Sequence, residues 1–245
     1  RFDIRERIEL VEKSHACLWT KAGKPGLQYL IEKRCLSEPV LKTFQIGYIP
    51  SDINHFLSGR IILPIYDAST NLIAISSRRL SDEDKRLPVY WHETYEKSWY
   101  LYGIPYAKEA IRKTGKCVAV EGQIDVLQLH NHGMTNVIGL CSTKLSDAQL
   151  ATIYRYCNQL YLLLDHDVMN PGDPPNKVLA GQKGTEVILE NYNKPNYSLG
   201  GYGSRQKIHP VFFPSIYLNG KMDPDKFVRE YGIDMLRGII FGKIT

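Results

Sequence analysis

The chain has 245 residues, of which 43% are hydrophobic, and a formal net charge of +5. It is long enough for one large domain or two small ones, and its composition is ordinary for a globular protein. No apolar run approaches the roughly 20 residues needed to span a bilayer, and Arg1-Phe2-Asp3 does not begin a signal peptide. We expect a cytoplasmic protein without a membrane partner and, because the first residue is not Met, a piece of a longer chain.

The first part of the chain has the pattern of an α+β unit. Residues 4–34 have apolar positions at helical spacing, interrupted by Gly23-Lys24-Pro25-Gly26. Residues 59–67 and 71–80 read as two strands joined by a short turn, which predicts a hairpin. Residues 105–114 form a predicted helix with Pro105 near its start and Gly115 after its end.

From Lys116 onward, strands and helices alternate, which predicts a parallel sheet with crossover helices. The predicted strands are 117–121, 136–140 and 160–165, and the predicted helices are 123–131, 146–157 and 179–190. Residues 168–177 are expected to form a loop. Residues 191–206, including Gly200-Gly201-Tyr202-Gly203, are expected to be irregular, ahead of a strand near 208–213 and a helix opened by Asp223-Pro224-Asp225.

The positive charge is confined to the first half of the chain. Residues 1–120 hold 19 Lys and Arg against 14 Asp and Glu, whereas residues 121–245 hold 12 of each. This distribution fits a half that binds a polyanion joined to a half that binds metal, although a mildly basic solvated surface has the same signature. The five cysteines form no C-x-x-C pair, which excludes a zinc ribbon within this chain and favours reduced thiols.

Three carboxylates close two of the buried-looking strands. Glu121 follows the apolar run 117–120, and Asp165 and Asp167 follow the run 160–164. Ligands bind outside the carboxyl ends of parallel strands, where these side chains would repel one another unless they shared a cation. Mg²⁺ is held by a few carboxylates together with water and substrate phosphates. The pattern therefore indicates phosphoryl or nucleotidyl transfer on a charged substrate.

Three further aspartates are candidates for the same site. Asp125 lies one turn into the helix that follows Glu121 and can face the same edge of the sheet. Asp223 and Asp225 flank Pro224 and can supply ligands to a second metal ion, although an N-terminal helix cap is the alternative for Asp223.

The motifs resemble a known family. Val120-Glu121-Gly122-Gln123-Ile124-Asp125-Val126 resembles the V-E-G-x-x-D-V block of DnaG-type bacterial and phage DNA primases, whose catalytic core contains a Toprim domain. Asp165-His166-Asp167 resembles the D-G-D block of that family, and residues 222–232 resemble its D-P-D-E-F-L-x-x-x-G block. A Toprim domain alone is shared with topoisomerases and nucleases, so segments outside it must select the primases.

Upstream segments resemble the same family in the same order. Residues 29–50 are similar to the primase segment before its hairpin, with L-S followed by F-x-I-G-Y-x-P. Arg60 and Arg78 stand where the family has its G-R and G-G-R arginines, and Lys97 precedes Leu101-Tyr102-Gly103 as in the basic motif. The resemblance covers roughly residues 27–232. It departs from the family at His166, at an insertion after Asp167 and at Pro88.

The resemblance implies the RNA-polymerase core of a primase, which synthesises short RNA primers from ribonucleoside triphosphates on a single-stranded DNA template. It implies Mg²⁺ or Mn²⁺ held by Glu121, Asp165 and Asp167 with help from Asp125, Asp223 and Asp225. Arg60, Arg78 and Lys97 would hold the template or the incoming triphosphate. A zinc-binding module and the replicative helicase would be supplied outside this chain. The compact chain favours a phage or plasmid primase, acting in a bacterial or phage-infected cell.

The expected fold is α/β with an α+β N-terminal part. Residues 1–115 are expected to form the basic α+β subdomain, residues 116–200 the Toprim subdomain with its parallel sheet, and residues 201–245 a C-terminal strand and helical tail. Two alternatives remain at this point: a Toprim nuclease that hydrolyses phosphodiesters with the same carboxylates, and a non-catalytic nucleic-acid-binding scaffold.

Overall fold

The structure is a computed structural model that describes residues 2–81, 88–169, 172–174, 176–192 and 207–242. The chain divides into two compact units, Arg1–Glu96 and Lys97–Thr245. This division lies before the helix at 104–114, whereas the sequence placed a boundary after it. That helix contacts the strands Lys116–Val120 and Val137–Gly139 of the second unit's sheet and is counted with them.

The first unit combines helices with an antiparallel sheet. Its helices are α1 (Ile4–Leu18), α2 (Lys24–Gln28), which continues into a π-helical turn (Tyr29–Lys33), and α3 (Glu38–Thr43). Its strands are β1 (Gly47–Ile49), β2 (Arg60–Tyr66), β3 (Leu72–Arg79) and β4 (Tyr90–His92), which pair in that order. The predicted hairpin is confirmed as β2 and β3, paired antiparallel.

The core of the first unit lies between α1 and this sheet. Buried apolar side chains from both elements pack together, and they include Val11, Ile49, Ile62 and Ile75. α1 is fixed at its start by the side chain of Asp3, which accepts from backbone N–H groups of the first turn. A buried ion pair between Arg7 and Glu93, with an N–O distance of 2.8 Å, joins α1 to the segment after β4.

The second unit is built on a parallel sheet. In chain order it contains a 3₁₀-helical turn (Lys97–Trp99), α4 (Ile104–Thr114), β5 (Lys116–Val120), α5 (Gln123–Asn131), β6 (Val137–Gly139), α6 (Asp147–Tyr154), β7 (Gln159–Leu163), α7 (Ala180–Tyr192), β8 (Lys207–Pro210), a second 3₁₀-helical turn (Ser215–Tyr217), α8 (Pro224–Tyr231) and α9 (Ile233–Phe241). The predicted alternation of strands and helices from Lys116 is confirmed.

The order of the parallel sheet is β6-β5-β7-β8. β5 is central, and its residues from Cys117 to Val120 are fully buried, as expected for an apolar strand covered on both faces. β5 and β7 are direct neighbours, so their carboxyl ends lie at the same edge of the sheet. This edge carries the site described below.

Local sequence signals explain where the helices begin. Ser146 caps α6 by accepting from Gln149 N–H, as its position predicted. α4 ends at Gly115, which has a φ of 65°, a conformation that suits glycine. α8 and α9, which follow each other directly through Gly232, form the expected helical tail, although the sequence distinguished only the first of the two helices.

Most of the predicted irregular region at 191–206, including the Gly200-Gly201-Tyr202-Gly203 segment, lies outside the described residues. In the described part of the chain, no helix is both long enough and apolar enough to cross a membrane.

Candidate active site

The parallel sheet places the predicted carboxylates at one edge. Val120, the last residue of β5, pairs with Leu163, the last residue of β7. Glu121 follows β5 directly, and Asp165 stands two residues after β7. The expectation that these two strands lie side by side is confirmed, and Asp165 lies close enough to Glu121 for its charge to affect the ionisation of Glu121.

Burial and neighbouring charges disfavour the ionised forms of Glu121 and Asp165. Burial, followed by the charge of Asp165, raises the pKa of Glu121 to about 7. Burial is also the main cause that raises the pKa of Asp165 to about 6, against the opposing effect of the Lys221 ammonium. The Oδ1 atom of Asp165 is buried and has no hydrogen-bond partner among the described residues. Such a carboxylate edge is suited to bind a cation.

Asp167 is held by the start of α7. Its Oδ2 accepts from Gly181 N–H at 3.1 Å, and Gln182 bonds both the N–H and the carbonyl of Asp167, at 3.1 and 2.7 Å. Burial alone would raise the pKa of Asp167, but hydrogen bonds from Lys221 and Gly181 together hold it below its usual value. The partial positive charge at the N-terminus of a helix also favours an ionised carboxylate. Asp167 is therefore fixed in the ionised form.

Gly181 is required at this point by close packing. A Cβ atom there would lie 1.9 Å from the carbonyl oxygen of Asp165. Only glycine lets α7 approach the loop between Asp165 and Asp167 this closely. His166, at the family's glycine position, turns its Nδ1 atom to Gln182 Nε2 at 3.2 Å. The histidine thus helps to fix the loop.

Lys221 completes the edge, and sequence reasoning missed it. Its Nζ atom lies 2.9 Å from Asp167 Oδ1 and 3.2 Å from Asp165 Oδ2. Two backbone hydrogen bonds between His166 and Met222, of 2.7 and 2.9 Å, bring the segment of Lys221 alongside the loop of the aspartates. The available signal was a lysine two residues before the Asp223-Pro224-Asp225 motif.

Asp125 links two motifs. Its Oδ2 accepts from Gly122 N–H at 3.1 Å, and its Oδ1 accepts from Asp225 N–H at 2.9 Å. Burial, followed by the charge of Asp223, raises the pKa of Asp125 well above its usual value. The side chain therefore closes the start of α5 and fastens the start of α8 to it. In this arrangement both of its oxygens already have partners.

Asp223 and Asp225 also have partners within the protein. Asp223 caps α8 by accepting from Lys226 N–H at 2.7 Å, which is the capping alternative that the sequence offered. Asp225 accepts from Arg229 Nε and Nη2 at 3.1 and 3.0 Å. Both residues border the site, since the charge of Asp223 acts on Asp165 and the charge of Asp225 acts on Asp125.

The donor chemistry of the site fits a hard divalent cation. Glu121, Asp165 and Asp167 offer carboxylate oxygens, the ligands that Mg²⁺ and Mn²⁺ prefer, and the partnerless Oδ1 of Asp165 is among them. Within the described ranges, however, no three His, Cys, Asp or Glu side chains are already arranged to hold a metal ion. Lys221 spans the two aspartates instead.

The predicted basic residues are divided between the two units. In the first unit, buried Arg60 donates to the carbonyls of Pro88 and Val89 at 2.9 and 3.2 Å. Buried Arg78 packs its guanidinium 5.3 and 5.5 Å from the ring centroids of Tyr29 and Tyr90. Lys97, in the second unit, is partly exposed on the 3₁₀-helical turn that ends at Trp99, which is 66% exposed.

The second unit matches a known domain family. The Toprim-like family matches residues 118–173, a range that contains Glu121, Asp125, Asp165 and Asp167. Residues 118–173 of the second unit, with these carboxylates, are thus similar to a Toprim domain.

Curated proteins similar to the chain are DNA primases. The primase of Enterococcus faecalis is 27% identical over 263 residues, covering 92% of this chain and 38% of the relative. The primase of Aquifex aeolicus is 29% identical over 185 residues, covering 74% of this chain and 32% of the relative. The chain thus spans about a third of the length of the curated relatives that it matches.

Solved primase structures share the fold. The DnaG catalytic core superposes with a TM-score of 0.78 at 21% identity, covering 98% of this chain and 79% of that one. A DnaG primase catalytic domain bound to single-stranded DNA superposes with a TM-score of 0.77 at 20% identity, covering 98% of this chain and 78% of that one. The zinc-binding and RNA polymerase domains of Aquifex aeolicus primase superpose with a TM-score of 0.71 at 20% identity, covering 99% of this chain and 62% of that one. The resemblance to a DnaG-type primase core with a Toprim domain, which the sequence predicted, is confirmed by these comparisons together.

Proposed function

We propose that the chain is the polymerising core of a DNA primase, which synthesises short RNA primers from ribonucleoside triphosphates on a single-stranded DNA template. The observation that carries the proposal is the meeting of Glu121, Asp165 and Asp167 at the carboxyl edge of a Toprim sheet. The relatives are DNA primases of bacteria, so we place the reaction in the cytoplasm of a bacterial or phage-infected cell.

The reaction joins two nucleotides. The 3′-hydroxyl oxygen of the primer attacks the α-phosphorus of the incoming triphosphate, a P–O bond forms, and pyrophosphate leaves with the electrons of the broken bond. Glu121, Asp165 and Asp167 would hold Mg²⁺ or Mn²⁺, which when bound supplies positive charge at the phosphates and favours ionisation of the hydroxyl. Asp223 and Asp225 border this position as auxiliary ligands.

The other residues of the site act by position. Asp125 holds the start of α8, and with it Asp223 and Asp225, against the start of α5. Gly181 and Gln182 fix Asp167, so its carboxylate needs no rearrangement to meet a cation. A site held in this way avoids the cost of ordering its ligands at the moment of binding.

Nucleic-acid contacts are assigned most directly to Lys97. It is partly exposed and lies two residues from exposed Trp99, and such a pair of a cation and an aromatic ring suits single-stranded nucleic acid. Arg60 and Arg78 remain proposed phosphate contacts, but each would have to exchange its present partners for a phosphate.

Two partners are proposed outside this chain. A solved primase that resembles it carries a zinc-binding domain beside its RNA polymerase domain. We assign recognition of the template start site to such a module, and the delivery of single-stranded template to a replicative helicase.

The proposal is tested by a primer-synthesis assay. The 245-residue chain is incubated with single-stranded DNA, labelled ribonucleoside triphosphates and Mg²⁺ or Mn²⁺, and the products are sized on a denaturing gel. We expect short RNA products that require both template and metal ion and that disappear in Asp165→Asn. Shortened template without RNA would instead identify a nuclease. DNA binding without either product would identify a scaffold.

A second measurement tests the nucleic-acid contact. We expect Lys97→Ala to weaken binding of single-stranded DNA and to reduce the slope of log K against log salt by about 0.7, the value for one lost phosphate contact. Lys113→Ala, which removes an exposed lysine from α4 in the same unit, is the matched control and should keep the wild-type slope. Equal slopes in all three proteins would place the phosphate contacts elsewhere.

A further inference from the structure

We propose that Lys221 is an internal counter-cation that holds the place of a divalent metal ion between Asp165 and Asp167, and that it sets the metal affinity of the site by competing for these carboxylates. The proposal rests on the metal-dependent function proposed above. It concerns what occupies the carboxylates before metal binds.

The geometry places one ammonium on two metal-ligand candidates. Lys221 Nζ lies 2.9 Å from Asp167 Oδ1 and 3.2 Å from Asp165 Oδ2. These are charge-assisted contacts to oxygen atoms of the kind that coordinate Mg²⁺. An ammonium and a divalent cation cannot share those atoms, because they repel each other at such short range. Metal binding between the two aspartates therefore requires the ammonium to leave.

The backbone of Lys221 is fixed, while its side chain is able to leave. The next residue, Met222, is completely buried and is bonded to His166, and Asp223 caps α8. The side chain of Lys221 is 55% exposed, whereas those of Asp165 and Asp167 are 14% and 20% exposed. The ammonium can therefore swing into solvent without disturbing the core, whereas the carboxylates stay in place.

An internal cation answers a problem that the fold creates. Glu121, Asp165 and Asp167 meet at a buried edge, and their mutual repulsion opposes folding before metal binds. Lys221 neutralises part of that charge through its contacts with Asp165 and Asp167. The same contact that stabilises the metal-free protein must weaken its affinity for metal.

The test is a direct measurement of metal binding, separate from catalysis. Mn²⁺ is titrated into metal-free protein at pH 8, above the pKa of about 7 of Glu121, and binding is followed by calorimetry and by the electron paramagnetic resonance signal of free Mn²⁺. The variants are Lys221→Met, which removes the charge, and Lys221→Arg, which keeps it. Lys183→Met is the matched control, since it removes an exposed lysine from α7 that pairs with Glu186.

We expect Lys221→Met to bind Mn²⁺ roughly tenfold more tightly than wild type, the factor that corresponds to loss of about one charge-assisted contact. Lys221→Arg and Lys183→Met should stay within about twofold of wild type, a difference too small to represent such a contact. In EDTA, Lys221→Met should melt at a lower temperature than wild type. Saturating Mn²⁺ should raise the melting temperature of Lys221→Met by more than it raises that of wild type.

The outcomes separate this proposal from the proposed function. If wild type and Lys221→Met bind Mn²⁺ with equal affinity, or if the variant binds more weakly, Lys221 does not compete and the proposal fails while the metal site stands. If neither protein binds Mn²⁺, the metal site itself fails, and Lys221 with it. Should Lys221→Met not fold, Lys221→Gln is measured in the same way, with the same expected tightening.

Discussion

Replacing Glu121 with Gln is expected to lower primer synthesis by roughly a hundredfold or more, the scale of loss when one charged group that stabilises a transition state is removed. The substitution keeps the shape of the side chain but removes a negative charge from a site where burial, followed by the charge of Asp165, already raises the pKa of Glu121. Folding should therefore be kept, and the metal-free variant should melt at a higher temperature than wild type. Primer synthesis and the melting temperature are measured on the same preparations.

The pH dependence of the stability that Glu121→Gln gains over wild type serves as a control. The pKa of Glu121 is about 7 in the folded protein against 4.5 as its ordinary value, so the folded state binds the extra proton between these pH values. The wild-type protein therefore loses stability as pH rises from about 4.5 to about 7. In EDTA, the advantage of Glu121→Gln should be small at pH 5 and full at pH 8. Near-normal primer synthesis, or the same advantage at both pH values, would remove Glu121 from the proposed site.

Asp125→Asn is expected to act in the opposite direction and to destabilise the metal-free protein by about 2–4 kcal/mol. Both oxygens of Asp125 accept backbone N–H groups, from Gly122 and Asp225, and an Asn amide group would turn a donor toward one of them. A chain of this size loses about 2–4 °C of melting temperature per kcal/mol. The melting temperature and the urea midpoint are measured in EDTA.

A matched control separates this effect from loss of charge in a first helical turn. Asp234 also lies in the first turn of a helix, α9, but its side chain is 92% exposed. Asp234→Asn should change stability by less than about 0.5 kcal/mol. If Asp125→Asn melts at or above the wild-type temperature, as expected for Glu121→Gln, Asp125 acts as one of the repelling carboxylates and not as the link between α5 and α8.

The parts of the site carried by local patterns were predictable from sequence. The apolar runs before Glu121 and Asp165 are strands because they are buried on both faces, and parallel pairing then brings their ends to one edge. The antiparallel hairpin and the start of α8 at Asp223 follow in the same way from turn and capping residues. Each of these features depends on residues close together in the chain.

The contacts that depend on distant residues were not predictable. Lys221 meets Asp165 and Asp167 only because β7 and the segment before α8 are bonded through His166 and Met222. Asp125 was predicted to be a metal ligand because its spacing from Glu121 shows which face of the helix it occupies. The spacing does not show that its carboxylate already accepts a hydrogen bond from the backbone N–H of Asp225. Arg78 was likewise predicted to hold the template or the incoming triphosphate, but the sequence did not show that its side chain is buried against two tyrosine rings.

The way Asp167 is fastened has a consequence for protein engineering. Asp167 stands at the start of the segment that departs from the family pattern, and β7 leads into it. Gly181 and Gln182, which follow that segment, form hydrogen bonds with Asp167. The chain between Val168 and Leu179 is thus bypassed by hydrogen bonds that do not depend on its length. We expect this segment to accept an affinity tag or a fluorophore, which would report from beside the carboxylates without replacing any of them.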